Sequence, residues 1–123
     1  MIAAIRRGSV FLVNDTVLTL PPNDGRQYHQ QRHVVVMSGN LRNSDPNWPT
    51  VLVVPTSTQG KLATAYCVKL DKGVGNLPKS CWARATMPQP ILKEDLRDRA
   101  GDLPLPYVDL IVNGMLNYMG LLD

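Results

Sequence analysis

His33-Val34-Val35-Val36-Met37-Ser38 and Thr50-Val51-Leu52-Val53-Val54 decide the fold. Both are near-continuous apolar runs rich in β-branched residues, which lose side-chain freedom in a helix and pack well on a pleated surface. A strand wetted on one side alternates apolar and polar residues, whereas an unbroken run belongs to a strand covered on both faces. The two runs therefore predict the centre of a sheet with structure on either side. Between them, Gly39-Asn40-Leu41-Arg42-Asn43-Ser44-Asp45-Pro46-Asn47-Trp48-Pro49 is dense in turn formers and reads as a connection.

Towards the N-terminus, Ser9-Val10-Phe11-Leu12-Val13 follows the basic turn Arg6-Arg7-Gly8 and predicts a first strand. The stretch from Pro21 to Gln31 is polar and too rich in Pro, Asn, Asp and Gly for core, which predicts a mobile loop. Further on, residues 65–70 and 81–86 supply two weaker strands separated by the turn-rich Asp71-Lys72-Gly73-Val74-Gly75-Asn76. Five strands in close succession predict a mainly β protein with a small curled sheet or barrel.

The last third changes character. Leu92 to Ala100, closed by Gly101 where a left-handed cap residue belongs, reads as a short exposed helix. From Pro106 onward Val108, Ile111, Val112, Met115, Met119 and Leu122 recur at helical spacing, with Asp109, Asn113 and Asn117 opposite. This predicts an amphipathic helix packed on the sheet. Gly114 lowers its propensity by about 1 kcal/mol relative to alanine, so close packing or simple tolerance has to account for it.

The 123 residues form one domain, 1–123, with too little chain for a second. Net charge is +3 but uneven: residues 1–92 hold 10 Lys and Arg against 4 Asp, and residues 93–123 hold 3 against 6 Asp and Glu. A basic body suits a nucleic-acid surface as well as an ordinary solvated one. Cys67 and Cys81 match no metal spacing and no disulfide framework, and read as buried thiols in a reducing compartment. Arg6 and Arg7 follow at once on the apolar first residues, and no apolar run reaches a dozen, which predicts a cytoplasmic protein without a signal peptide or membrane span.

Three segments in this order resemble the MazF/PemK/Kid family of toxin-antitoxin ribonucleases. Arg7-Gly8-Ser9-Val10-Phe11-Leu12-Val13 is similar to the family's opening strand, Arg-Gly-Asp-Ile-x-x-Val. Arg32-His33-Val34-Val35-Val36-Met37-Ser38 resembles its second strand, Arg-Pro-Val-Val-Val-x-Ser, except at His33. Val53-Val54-Pro55-Thr56-Ser57-Thr58 resembles the end of its third, Val-Val-Pro-x-Thr-Ser, and Met119-Gly120-Leu121 echoes its closing Leu-Gly-Leu. The resemblance implies an SH3-like curled β-barrel of the MazF/CcdB type with short helices and a C-terminal helix. It also implies a homodimer with single-stranded RNA sites along a shared groove, a cognate antitoxin threading that groove, and no metal or other cofactor.

The activity so implied is that of an mRNA interferase, a metal-independent endoribonuclease leaving 2′,3′-cyclic phosphate and 5′-hydroxyl ends. Arg32 takes the place of the family's catalytic arginine, and its planar fork of donors suits a phosphorane. The family's catalytic threonine falls on Ser57 without a gap, or on Thr56 with a slip of one residue. Arg84, in Arg84-Ala85-Thr86-Met87-Pro88-Gln89-Pro90-Ile91, matches an arginine of the Kid/PemK branch, while Thr86 replaces the aspartate assigned there as base. His29 or His33, titrating near neutrality, could fill that vacancy. The family's Gly-Ser-Glu-Gln loop is absent; the loop here offers Arg26 to phosphate and Tyr28 for base stacking, and Thr58, Gln59 and Lys61 continue the RNA path. Trp48 reads as a loop cap and Trp82 as core. The competing reading on the same barrel is a non-catalytic toxin, either a CcdB-like gyrase poison or an RNA-binding module; the tryptophan segment of CcdB's terminal helix is missing here.

Overall fold

The computed structural model describes residues 4–20, 30–60 and 64–122. Among these residues seven strands and two helices follow one another: β1 Ser9–Asn14, β2 Gln31–Val36, α1 Asn40–Asn43, β3 Thr50–Ser57, β4 Val68–Leu70, β5 Cys81–Ala83, β6 Gln89–Leu92, β7 Leu96–Asp102 and α2 Leu105–Tyr118. Short 3-10 turns lie at Asp15–Val17, Val74–Asn76 and Lys93–Asp95. The sheet runs β4-β5-β3-β2-β1-β7, with β6 also on β3, and every pairing is antiparallel.

β3 sits at the centre because it is long and apolar enough to serve several neighbours. Its first half pairs with β6, its middle with β2 and its end with β5. That change of partner curls the sheet. The two outer strands are bridged by the turn after β4, where Asn76 Nδ2 donates to the Ala100 carbonyl of β7 at 2.8 Å.

Val34, Val35 and Val36 are all fully buried, as the unbroken apolar run requires of a strand covered on both faces. Val35 belongs to a core with Val10, Val54, Leu70, Ala83, Val108 and Ile111, roofed by α2. Val34 and Val36 belong to a second core with Phe11, Val13, Leu18, Val51, Val53 and Ile91. Each such side chain contributes about 1.5–3 kcal/mol on burial, so the three central strands are the most strongly held part of the fold.

The structure corrects several expectations. Residues 92–100 are not a helix: Lys93–Asp95 form a 3-10 turn and Leu96–Asp102 are β7, paired with β1. The unpaired edge of β1 captures this polar segment, and Arg97, Asp98 and Arg99 stay exposed on it. Gly101 does not cap a helix with a left-handed residue. A Cβ there would lie 2.9 Å from the Gly75 carbonyl, so the glycine admits the turn that bridges the sheet edges. β6 adds the other unexpected strand, with Pro90 tolerated because, among the described residues, only one side of that strand is paired.

The terminal helix forms, but it ends at Tyr118 because Gly120 takes a left-handed φ of 78°. Met119 and Leu122 are therefore exposed instead of continuing the apolar face. Gly114 is explained by close packing, since a Cβ would stand 2.5 Å from the Tyr66 carbonyl and 3.0 Å from the Ala85 methyl. The strands expected at 33–38, 65–70 and 81–86 are displaced or shortened to Gln31–Val36, Val68–Leu70 and Cys81–Ala83.

Candidate nucleic-acid site

β1 runs into a turn fixed by Asn14, whose side-chain oxygen accepts from the Thr16 N–H at 3.3 Å and the Thr16 hydroxyl at 3.1 Å. The turn sends the next side chain inward, and Asp15 is completely buried. Arg32 opposes Val13 on the neighbouring strand, one residue from this turn. Its Nε donates to Asp15 Oδ1 at 2.7 Å and its Nη2 to Oδ2 at 3.5 Å. On its other side Nη1 donates to the Thr56 carbonyl at 2.7 Å. The Arg32 side chain keeps 13% of its surface exposed.

The register distinguishes Thr56 from Ser57. β2 and β3 pair Val34 with Pro55; two-residue alternation then sets Ser57 on the face of Arg32 and Thr56 on that of His33. β5 extends both faces, pairing Ser57 with Trp82 and Thr56 with Ala83. The Thr56 hydroxyl is turned to the α2 side and donates to the His33 carbonyl at 2.8 Å. The Ser57 hydroxyl accepts from the Gln59 N–H at 3.2 Å, which leaves its own proton to donate.

Arg84 follows β5 directly, with its N–H donating to the Pro55 carbonyl at 2.9 Å. Alternation from Trp82 gives it the face of Arg32 and Ser57. Its Nε is enclosed by protein and has no hydrogen-bond partner among the described residues. Trp82 is half-buried on this same face, where the Lys69 ammonium lies 5.6 Å from its ring, so it is not simply core.

Among the other sequence-predicted residues, His33 sits on the opposite face from Arg32, and burial pushes its pKa below the usual 6.5. Thr58 and Gln59 are exposed just beyond β3. Arg26, Tyr28, His29 and Lys61, with most of the loop expected to be mobile, lie outside the described residues. Cys81 is buried, which raises its thiol pKa above the usual 9.0 against the smaller, opposing effect of the neighbouring Thr56 hydroxyl, while Cys67 is only partly buried. Trp48 is exposed, with the Arg42 guanidinium 4.7 Å from its ring centre.

Sequence reasoning passed over Asp15. Its signal was the run Asn14-Asp15-Thr16, a cap residue followed by a carboxylate where the first strand ends and the basic second strand begins. A separate concavity of about 810 Å³, lined by Ile5, Trp48, Pro49 and Leu92 among others, opens at the Thr50 end of β3. At about 3.3 Å per strand residue, that end is roughly 23 Å from Ser57. No three His, Cys, Asp or Glu side chains gather as metal ligands among the described residues, and no described helix is long and apolar enough to cross a membrane.

Solved structures with this fold share little sequence with the chain. An endoribonuclease in complex with its cognate antitoxin, from a Mycobacterial species, superimposes with a TM-score of 0.70 at 18% identity, covering 98% of this chain and 97% of that one. A MazE-MazF structure from Deinococcus radiodurans gives 0.71 at 13% identity over 98% and 99%. Mycobacterium tuberculosis toxin MazF-mt6 gives 0.68 at 19% identity over 92% and 97%. No curated protein matches the chain. The family described as PemK-like, MazF-like toxin of type II toxin-antitoxin system matches residues 6–117, from the turn before β1 nearly to the end of α2. With that match spanning every strand and both arginines of the site, the chain belongs to the PemK-like, MazF-like toxins of type II toxin-antitoxin systems.

Proposed function

We propose that this toxin is a sequence-selective endoribonuclease of the mRNA-interferase type, cutting single-stranded RNA without a metal. The observation that carries the reading is the gathering of Arg32, Ser57 and Arg84 on one face where β2, β3 and β5 meet. A guanidinium has five N–H donors, and the Asp15 and Thr56 bonds of Arg32 use three. Two remain for an anion, the Arg84 cation stands on the same face, and the Ser57 hydroxyl adds a neutral donor.

Such a set suits phosphodiester transesterification. Attack of the 2′-oxygen on phosphorus builds negative charge on the non-bridging oxygens, and preorganised donors aimed at that charge lower the barrier. The 2′-hydroxyl proton leaves as the P–O bond forms, and the departing 5′-oxygen gains a proton as its bond breaks, giving a 2′,3′-cyclic phosphate and a 5′-hydroxyl. Thr58, Gln59 and Lys61, together with Arg26, Tyr28 and His29, are assigned to the RNA path; His33, on the face opposite Arg32, is not.

The same reading makes the protein a cytoplasmic homodimer held in check by a cognate antitoxin. Leu105, Leu110, Tyr118 and Met119 on and after α2 are large, apolar and exposed, which suits surfaces covered by protein partners. Incubating the purified chain with a long RNA in EDTA and mapping both product ends tests the activity. Cuts at a recurring short sequence with cyclic-phosphate ends are expected; tight RNA retention without cuts would support the non-catalytic toxin.

A further inference from the structure

We infer that Asp15 is a positioning residue for Arg32: its buried carboxylate, acting with the Thr56 carbonyl, fixes the guanidinium so that its two remaining N–H groups form a ready-made fork for a phosphodiester. The inference rests on the nuclease reading of Arg32 and adds a residue to it. Asp15 has no exposed surface, so it acts through the arginine and does not touch RNA. Nε and Nη2 meet its two oxygens side-on, and Nη1 is held from β3. Tethers from two different parts of the fold thus define the plane of the guanidinium.

The chemistry gives this arrangement a purpose. An untethered arginine carries side-chain entropy that binding an anion would have to remove. A fixed one has given it up on folding, and its donors need no reorganisation as charge develops on phosphorus. The carboxylate also cancels much of the long-range attraction of Arg32 for RNA. Asp15 should therefore act on the chemical step more than on RNA affinity.

The test is Asp15→Asn, which keeps the shape but presents one acceptor where the guanidinium needs two. Cleavage at saturating RNA should fall about 10- to 100-fold, with KM changed by less than about threefold. In an Arg32→Lys background the same substitution should have little further effect, because the group through which it acts is gone. In ¹⁵N spectra the wild-type Arg32 Nε–H should exchange slowly with water and Asp15→Asn should speed it.

Cleavage by Asp15→Asn within twofold of wild type, or an equal loss in both backgrounds, would overturn the inference and leave the nuclease reading in place. Wild-type protein that cuts no RNA would overturn both. If Asp15→Asn does not fold, the wild-type exchange rate decides: an Nε–H exchanging as fast as in free arginine overturns the inference, and a strongly protected one upholds it.

Discussion

The Thr56 hydroxyl donates to the backbone carbonyl of His33 across the end of the β2–β3 pairing, at 2.8 Å. That bond commits Thr56 to holding two strands together and leaves Ser57 as the hydroxyl on the face of Arg32. The two substitutions should then separate. Ser57→Ala is expected to lower the cleavage rate by about 100-fold or more, the usual loss for one donor to a developing oxyanion, with little change in stability. Thr56→Val removes that strand-to-strand hydrogen bond and should cost about 0.5–1.5 kcal/mol of stability, with cleavage near normal below the melting transition. Rate assays and urea unfolding on both variants check this; the reverse pattern would assign the role to Thr56.

Burial holds the His33 pKa below 6.5. Below that pH the unfolded chain takes up a proton that the folded chain resists, so unfolding gains relative to folding. The contribution of this residue to stability is present above pH 6.5, falls as the pH drops below it, and levels off once the folded imidazole titrates. Urea midpoints between pH 7.5 and 5 should decline for wild type and decline less for His33→Gln.

Gly114 brings α2 against the backbone at Tyr66. An added methyl would overlap the Tyr66 carbonyl at 2.5 Å, so Gly114→Ala should destabilise by about 1–3 kcal/mol despite its better helix propensity. Thermal or urea unfolding measures the change, and a more stable variant would contradict the packing account.

What the sequence makes legible follows from which forces act locally. The valine runs in β2 and β3 signal burial on both faces because each residue carries its own preference, and the helical spacing of Val108, Ile111 and Met115 does the same for α2. β7 is not legible, since Leu96–Asp102 has a polar, helix-compatible composition and becomes a strand only because β1 needs a partner. Arg32 is reached through a family resemblance. Its ion pair with Asp15 depends on two segments meeting through a turn: the run Asn14-Asp15-Thr16 marks the turn but not the side chain that the turn brings to it. The ambiguity between Thr56 and Ser57 persists in the sequence for the same reason: a slip of one residue exchanges the faces, and only strand pairing fixes the register.

The central claim is that the Arg32 fork stabilises the phosphorane. Arg32→Ala would take the ion-pair partner from a fully buried carboxylate, a strongly destabilising change, and would confuse chemistry with folding. Arg32→Lys keeps a cation beside Asp15 and removes the planar fork. Single-turnover cleavage of a defined RNA by the folded Arg32→Lys protein is therefore the most direct measurement. The account predicts a fall of about 100-fold or more; cleavage at the wild-type rate would contradict it.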